Sequence, residues 1–439
     1  MSRSDTIRPK HRDAIIQSLR AGVVPRVGQQ HIQVGRHSEV TALVRDIGTV
    51  ADGGSSIRFV IGEYGAGKTF FLNLVRSIAL EKNLVTVHAD LSPERRVYAT
   101  GGQARSLYTE LLRNMSTRSK PEGGALPNVV EKFVTTALAE AGERRTPPGT
   151  VIQERLASLA ELVGGYDFAE VIGAYWSGHD TGNDELKSAA LRWLRGEFST
   201  KTDAREALGV RIIVNDSNVY DSLKLLARFV RLAGYGGLLV ALDELVNLYK
   251  LANPQARNSN YEQILRILND SLQGTAAGMG FVLGGTPEFL MDTRRGLYSY
   301  PALQSRLAQN RFATDNLVDY SGPVLSLANL TPEDLFVLLT KLRHVYATGD
   351  SANYLIPDEG LHAFMTHCSQ RIGSAYFQTP RNTIVAFINL LAVLDQNRQA
   401  SWQLLLGDVE LRGDPNPDLD GLIDDEDASS DDALSSFKL

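Results

Sequence analysis

Gly62-Glu63-Tyr64-Gly65-Ala66-Gly67-Lys68-Thr69 has the spacing G-x-x-x-x-G-K-[ST], a set of residue types suited to cradling a polyphosphate. The glycines let backbone N–H groups curl round anionic oxygens, and the helix that follows adds partial positive charge at its N-terminus. Lys68 is placed to neutralise the β and γ oxygens, and Thr69 to ligate Mg²⁺. A glycine-rich turn before any helix would carry the same letters. The flanks favour the phosphate loop: Ile57-Arg58-Phe59-Val60-Ile61 reads as a buried strand entering it, and Phe70-Phe71-Leu72-Asn73-Leu74-Val75 as a helix leaving it.

Hydrolysis needs more than a cradle. Gly237–Glu244 is an apolar run ending in two carboxylates, Asp243 and Glu244. An acid at a strand end beside the loop suits Mg²⁺, usually through water, so Asp243 and Thr69 form the expected metal pair. Glu244, one residue further, leaves the strand in another direction and suits a general base that polarises water. Thr286 closes the apolar run Gly280–Gly285 and either orients that water or simply makes a turn with Gly284, Gly285 and Pro287. Phosphoryl transfer also gains from a cation delivered to the transition state, sometimes by a neighbouring subunit. Arg306 or Arg311 suits that duty, while Arg294 and Arg295 read better as partners for nucleic-acid phosphate or a neighbouring chain. Arg381 opens the strongly apolar helix Ile384–Leu391, where a cation is electrostatically unfavourable unless an anion sits nearby. It is therefore expected to meet the nucleotide.

The elements that position these groups alternate. Strands at 57–61, 85–90, 237–244, 280–286 and 323–327, separated by helices and mostly apolar, predict an α/β fold with a parallel sheet covered on both faces. A helix is expected from Tyr261 to Gln273. Residues 104–232 form a long, mostly helical insertion broken at Lys120–Gly124 and Thr146–Gly149. After Thr331, a good N-cap, the chain reads as helical to about Leu406. The expected divisions are an N-terminal arm 1–30, a nucleotide-binding α/β domain 31–322, a helical lid 323–407 and an acidic disordered tail 408–439.

Composition narrows the setting. The 439 residues suffice for two or three domains, and no stretch approaches a membrane span or a secretory signal, so a cytoplasmic protein is expected. The lone Cys368 reads as an apolar filler. Net charge is −6, yet eleven of the 51 acidic residues and only two of the 45 basic ones lie at or after Asp408. The body is thus nearly neutral, and the chain's overall acidity does not exclude a nucleic-acid partner.

With these elements placed, the chain resembles an AAA+ P-loop ATPase of the initiator type, similar in layout to Orc/Cdc6. Val34-Gly35-Arg36 matches that family's adenine-side box, Gly62–Thr69 its Walker A, Leu239–Glu244 its Walker B, Thr286 its sensor 1, Arg306 its finger region and Thr379-Pro380-Arg381 its sensor 2. More narrowly, Leu19–Pro25, Gly102–Tyr108, Gly285–Leu290 and Arg295–Tyr300 resemble the BREX-associated ATP-binding proteins of bacterial phage defence. The resemblance implies that ATP and Mg²⁺ bind, with Val34, Gly35, Arg36, the loop from Gly62 to Thr69, Phe70 and Arg381 around the nucleotide. It also implies Glu244, Lys68, Thr286 and Arg306 in hydrolysis, a homo-oligomer, and a large helicase-like partner of the Lhr type. DNA contact, direct or through that partner, is a further expectation. No winged-helix DNA reader is expected after the lid, which sets DNA loading by the usual initiator route in doubt.

Two segments stay open. Arg105, Tyr108, Arg113, Arg118, Lys120, Arg192, Trp193 and Arg195 of the insertion read as a DNA surface, as solvated helix faces or as a docking face for a partner. The tail, whose acidic leader ends in Leu434-Ser435-Ser436-Phe437-Lys438-Leu439, reads as a docking peptide, a shield for a basic channel or an inert solubiliser. Two functions follow from the whole: an ATPase that remodels or loads a DNA-associated partner in antiphage defence, or an ATP-gated adaptor with little turnover.

Overall fold

A computed structural model describes residues 7–310, 312 and 319–407. Arg311 and the tail 408–439 lie outside the described residues. Five strands, β1 (Ser55–Gly62), β2 (Val85–Asp90), β3 (Leu238–Asp243), β4 (Met279–Gly285) and β5 (Val324–Leu327), form one parallel sheet in the order β2-β3-β4-β1-β5. Strand side chains alternate between two covered faces, so the central strands β3 and β4 are apolar on both, Asp243 apart. Ile57, Phe59 and Ile61 enter the core on one face, and Val60 enters the core on the other, beneath helices His37–Ala51 and Lys68–Glu81. β3 and β4 alternate in step, with Leu239 and Val282 on the second face.

The chain leaving β1 runs towards β2, whereas the chain leaving β4 passes beyond β1 to the opposite edge. Where connections diverge in this way, a crevice opens outside the carboxyl ends of the strands. Gly62–Lys68 lies there.

The insertion is helical as expected, from Gln103–Arg113 to Val219–Leu232. Its apolar residues share one continuous core with the sheet, so it packs as a thick layer on one face. That layer buries two residues that all three readings of the insertion place on its surface. Tyr108 is buried and donates to Leu194 O (2.9 Å), and Trp193 is buried with Nε1 donating to Ile212 O (2.9 Å). Arg295 is likewise buried, with guanidinium bonds to Tyr249 O and Leu251 O, so it faces neither nucleic acid nor a second chain.

The helix expected at Tyr261 begins earlier, at Pro254, because Asn253 caps it by accepting from Gln255 N and Ala256 N. The boundary drawn at 323 falls immediately before β5, which pairs with β1 and so belongs to the sheet. Beyond it, helix Pro332–Tyr346 starts with a reciprocal capping box between Thr331 and Asp334. That helix builds a second core with Asp358–Ile372 and Arg381–Gln396, in which Cys368 is buried, its thiol pushed up to about 12 by burial. Ile7, Ile15 and Ile32 enter the same core. The N-terminal arm, with helix Pro9–Arg20, is thus packed into the C-terminal helices. Among the described residues no helix is long and apolar enough to cross a membrane.

Candidate functional site

Gly65 (φ +85°) and Gly67 (φ +82°) give the loop its left-handed steps, the conformation glycine adopts at least cost. Lys68, at the first position of its helix, donates to Gly62 O (2.8 Å) and Glu63 O (3.0 Å), which holds the ammonium over the loop. Thr69 Oγ1 donates to Asp243 Oδ2 (2.7 Å), so the hydroxyl and carboxylate expected at a metal stand together. Both are hard oxygen donors, and the pair fits Mg²⁺. A Cβ at Gly284 would collide with Asp243 Oδ1; the bare α-carbon on β4 is what admits the carboxylate.

Glu244 is exposed at φ +59°, a left-handed backbone that costs a non-glycine residue about 1 kcal/mol or more. Three bonds from backbone N–H groups hold it there: Glu244 N to the Asp243 carboxylate Oδ1 (2.9 Å), Leu245 N to Gly284 O (3.0 Å) and Asn247 N to Glu244 O (3.0 Å). The turn swings its side chain off the strand, and Glu244 lines the same cavity as Lys68 and Thr69.

That cavity, about 390 Å³, lies between the loop, the arm and the C-terminal helices. Its walls include Tyr64, Gly65, Ala66, Gly67, Phe70, Val34, Arg36 and Arg381, all expected from the sequence. Leu19, Gly22, Val24, Pro25, Leu338 and Ile384 line it too and were not expected. The only sequence signal for the first four was the unusual string Leu19–Pro25.

Arg36 has a different geometry from a base contact. Its Nη2 donates to Ala66 O (2.9 Å) in the loop and to Ala328 O (2.5 Å) just past β5. Burial lowers its pKa, against the pull of Glu39 and Asp334. It therefore staples the phosphate loop to the linker that leads into the C-terminal helices. Gly35 precedes it at φ +61°, beside Asp334.

Among the described residues, Gly62, Glu63, Gly35, Asp243, Thr286 and Arg306 do not line the cavity; Asp243 is buried behind Thr69, whose hydroxyl it accepts from. Gly62 and Glu63 act through their carbonyls on Lys68. The Thr286 hydroxyl caps helix Pro287–Met291 by accepting from Phe289 N (3.4 Å). Arg306 is exposed on helix Pro301–Leu307 with Nη1 on Ala302 O (2.9 Å).

Beside the crevice, at the end of β2, Asp90 is paired in register with Asp243; burial first, and the Asp243 charge next, push its carboxyl up. Next to it His88 is pushed down to about 3 by burial and by the charges of Arg76 and Arg26.

The chain matches the family model described as "BREX system ATP-binding protein BrxC/D" over residues 7–410. A search of curated proteins returns no match.

Proposed function

The chain belongs to the BREX system ATP-binding protein BrxC/D family, and from that premise we propose an AAA+ ATPase whose ATP cycle moves the arm and C-terminal helices to remodel or load a DNA-associated partner in phage defence. Membership supports ATP as the ligand and phage defence as the setting. The observation that carries the further step is one cavity lined by Lys68, Thr69 and Glu244 from the sheet side and Arg381 from the helical side.

In this reading Lys68 releases its two loop carbonyls and takes the β and γ oxygens. Thr69 and Asp243 would hold Mg²⁺, which neutralises phosphate charge. Glu244 accepts a proton from the attacking water, and Thr286 closes the strand beside it. Val34 and the apolar arm residues pack the base. Arg381 meets the terminal phosphate, so loss of that phosphate frees the helices to swing. Arg306 stands outside its own cavity and serves a neighbouring copy, which makes the active form a homo-oligomer. The resemblance to BREX-associated ATPases supports a large helicase-like partner of the Lhr type, in the cytoplasm.

Arg306's position also supports a second reading, in which a solitary chain binds ATP and turns it over little, as a switch or adaptor. Mixing separates the two. Arg306→Ala and Glu244→Gln copies, each inactive alone, should regain ATPase activity when combined, because one composite site then has both groups intact. No recovery at any mixing ratio would remove the shared site.

A further inference from the structure

The string Leu19–Pro25 finds its use in the backbone of Gly22. Helix Pro9–Arg20 ends in a turn closed by Ala21 N to Gln17 O (3.1 Å), Gly22 N to Leu19 O (3.0 Å) and Val23 N to Ser18 O (2.9 Å). Gly22 sits in that turn at φ +70°. A Cβ built there would fall 2.7 Å from Arg381 Nε, 3.1 Å from Nη2 and 3.3 Å from Cζ. The guanidinium therefore lies on the bare α-carbon of Gly22, closer than any side chain at that position permits. Arg20 Nε adds a bond to Asn389 Oδ1 (3.0 Å), two turns along the helix that Arg381 opens. The arm thus touches this helix both at its first residue and beyond its middle.

We propose that Gly22 is a positioning residue for Arg381: the arm's glycine turn holds the guanidinium at the nucleotide cavity, and a side chain there displaces it. The proposal rests on the reading of Arg381 as the contact to the terminal phosphate. Of the two colliding parties, the arginine is the end of a flexible side chain and the turn is hydrogen-bonded backbone. Substitution therefore moves the charge and leaves the fold. It also explains how a cation is kept at a helix start, where the helix dipole opposes it.

The test is the affinity of the full chain for fluorescent ATP and ADP analogues in four proteins: wild type, Gly22→Ala, Arg381→Ala and the double variant. Arg381→Ala should weaken ATP about tenfold, the loss of one charge-assisted contact, and ADP less than twofold. Gly22→Ala should reproduce that ATP-selective loss, and the double variant should bind no worse than Arg381→Ala alone. Gly22→Asn repeats the test with a residue that tolerates the left-handed turn, so backbone strain and collision are separated. ATP affinity of both Gly22 variants within twofold of wild type would overturn the proposal, as would equal losses for ATP and ADP or losses that add to those of Arg381→Ala. If Arg381→Ala itself leaves the preference for ATP over ADP unchanged, the assignment of Arg381 fails, and this proposal with it.

Discussion

His88 shows how a single side chain near the crevice sets a condition on the whole molecule. Burial and the charges of Arg76 and Arg26 keep its ring neutral down to about pH 3, against about 6.5 for an unfolded chain. The unfolded state therefore binds a proton that the folded state refuses. Stability from this group is complete above about 6.5 and falls as pH drops, at about 1.4 kcal/mol per unit. Asp90, pushed up, works in the opposite sense, and because wild type and His88→Gln share it, the difference between them from pH 7 to 5 isolates the histidine. Urea unfolding should show His88→Gln losing about 2 kcal/mol less than wild type over that window. Equal losses would mean that His88 charges freely. Nothing in the sequence announced this, because the shift comes from burial and from arginines on other elements. The grouping of Lys68, Thr69 and Glu244 at one cavity, with Asp243 bonded to Thr69, was by contrast legible from spacing: each stands at a fixed offset from a glycine loop or strand end.

At the scale of elements, strands and caps were read directly and packing partners were not. Thr331 is one such cap; its capping box with Asp334 starts the first helix after β5, beside Gly35. Thr331→Ala should cost about 1 kcal/mol of stability, measured by urea unfolding, and an unchanged midpoint would contradict the cap's contribution. The five strands were visible because each carries an apolar run, as a strand covered on both faces must. The start of helix Pro254–Leu272 was missed because its first turns are polar and only the Asn253 cap marks them. Tyr108 and Trp193 were misread as surface candidates for a simpler reason. An aromatic residue in a helical segment carries no local mark of which face the rest of the chain will cover.

The whole molecule joins what the sequence separates most widely. Ile7 and Ile15 pack with Phe364 and Phe387, and Arg12 Nε donates to Tyr346 O (3.0 Å), so the arm and the C-terminal helices form one body over the cradle. Two strands of chain tie that body to the sheet, 33–36 and 328–331, and Arg36 bonds the phosphate loop and the second of them together. Local periodicity cannot encode a contact between residues more than 330 apart; only the string Leu19–Pro25 hinted that the arm mattered. The central claim is that ATP binds in the cavity this body closes and is turned over there. It is tested most directly by measuring ATP affinity and hydrolysis in the full chain with Lys68→Ala and Glu244→Gln. The account predicts that Lys68→Ala loses binding while Glu244→Gln binds ATP near wild-type affinity and stalls hydrolysis; wild-type affinity in Lys68→Ala, or unimpaired turnover in Glu244→Gln, would contradict it.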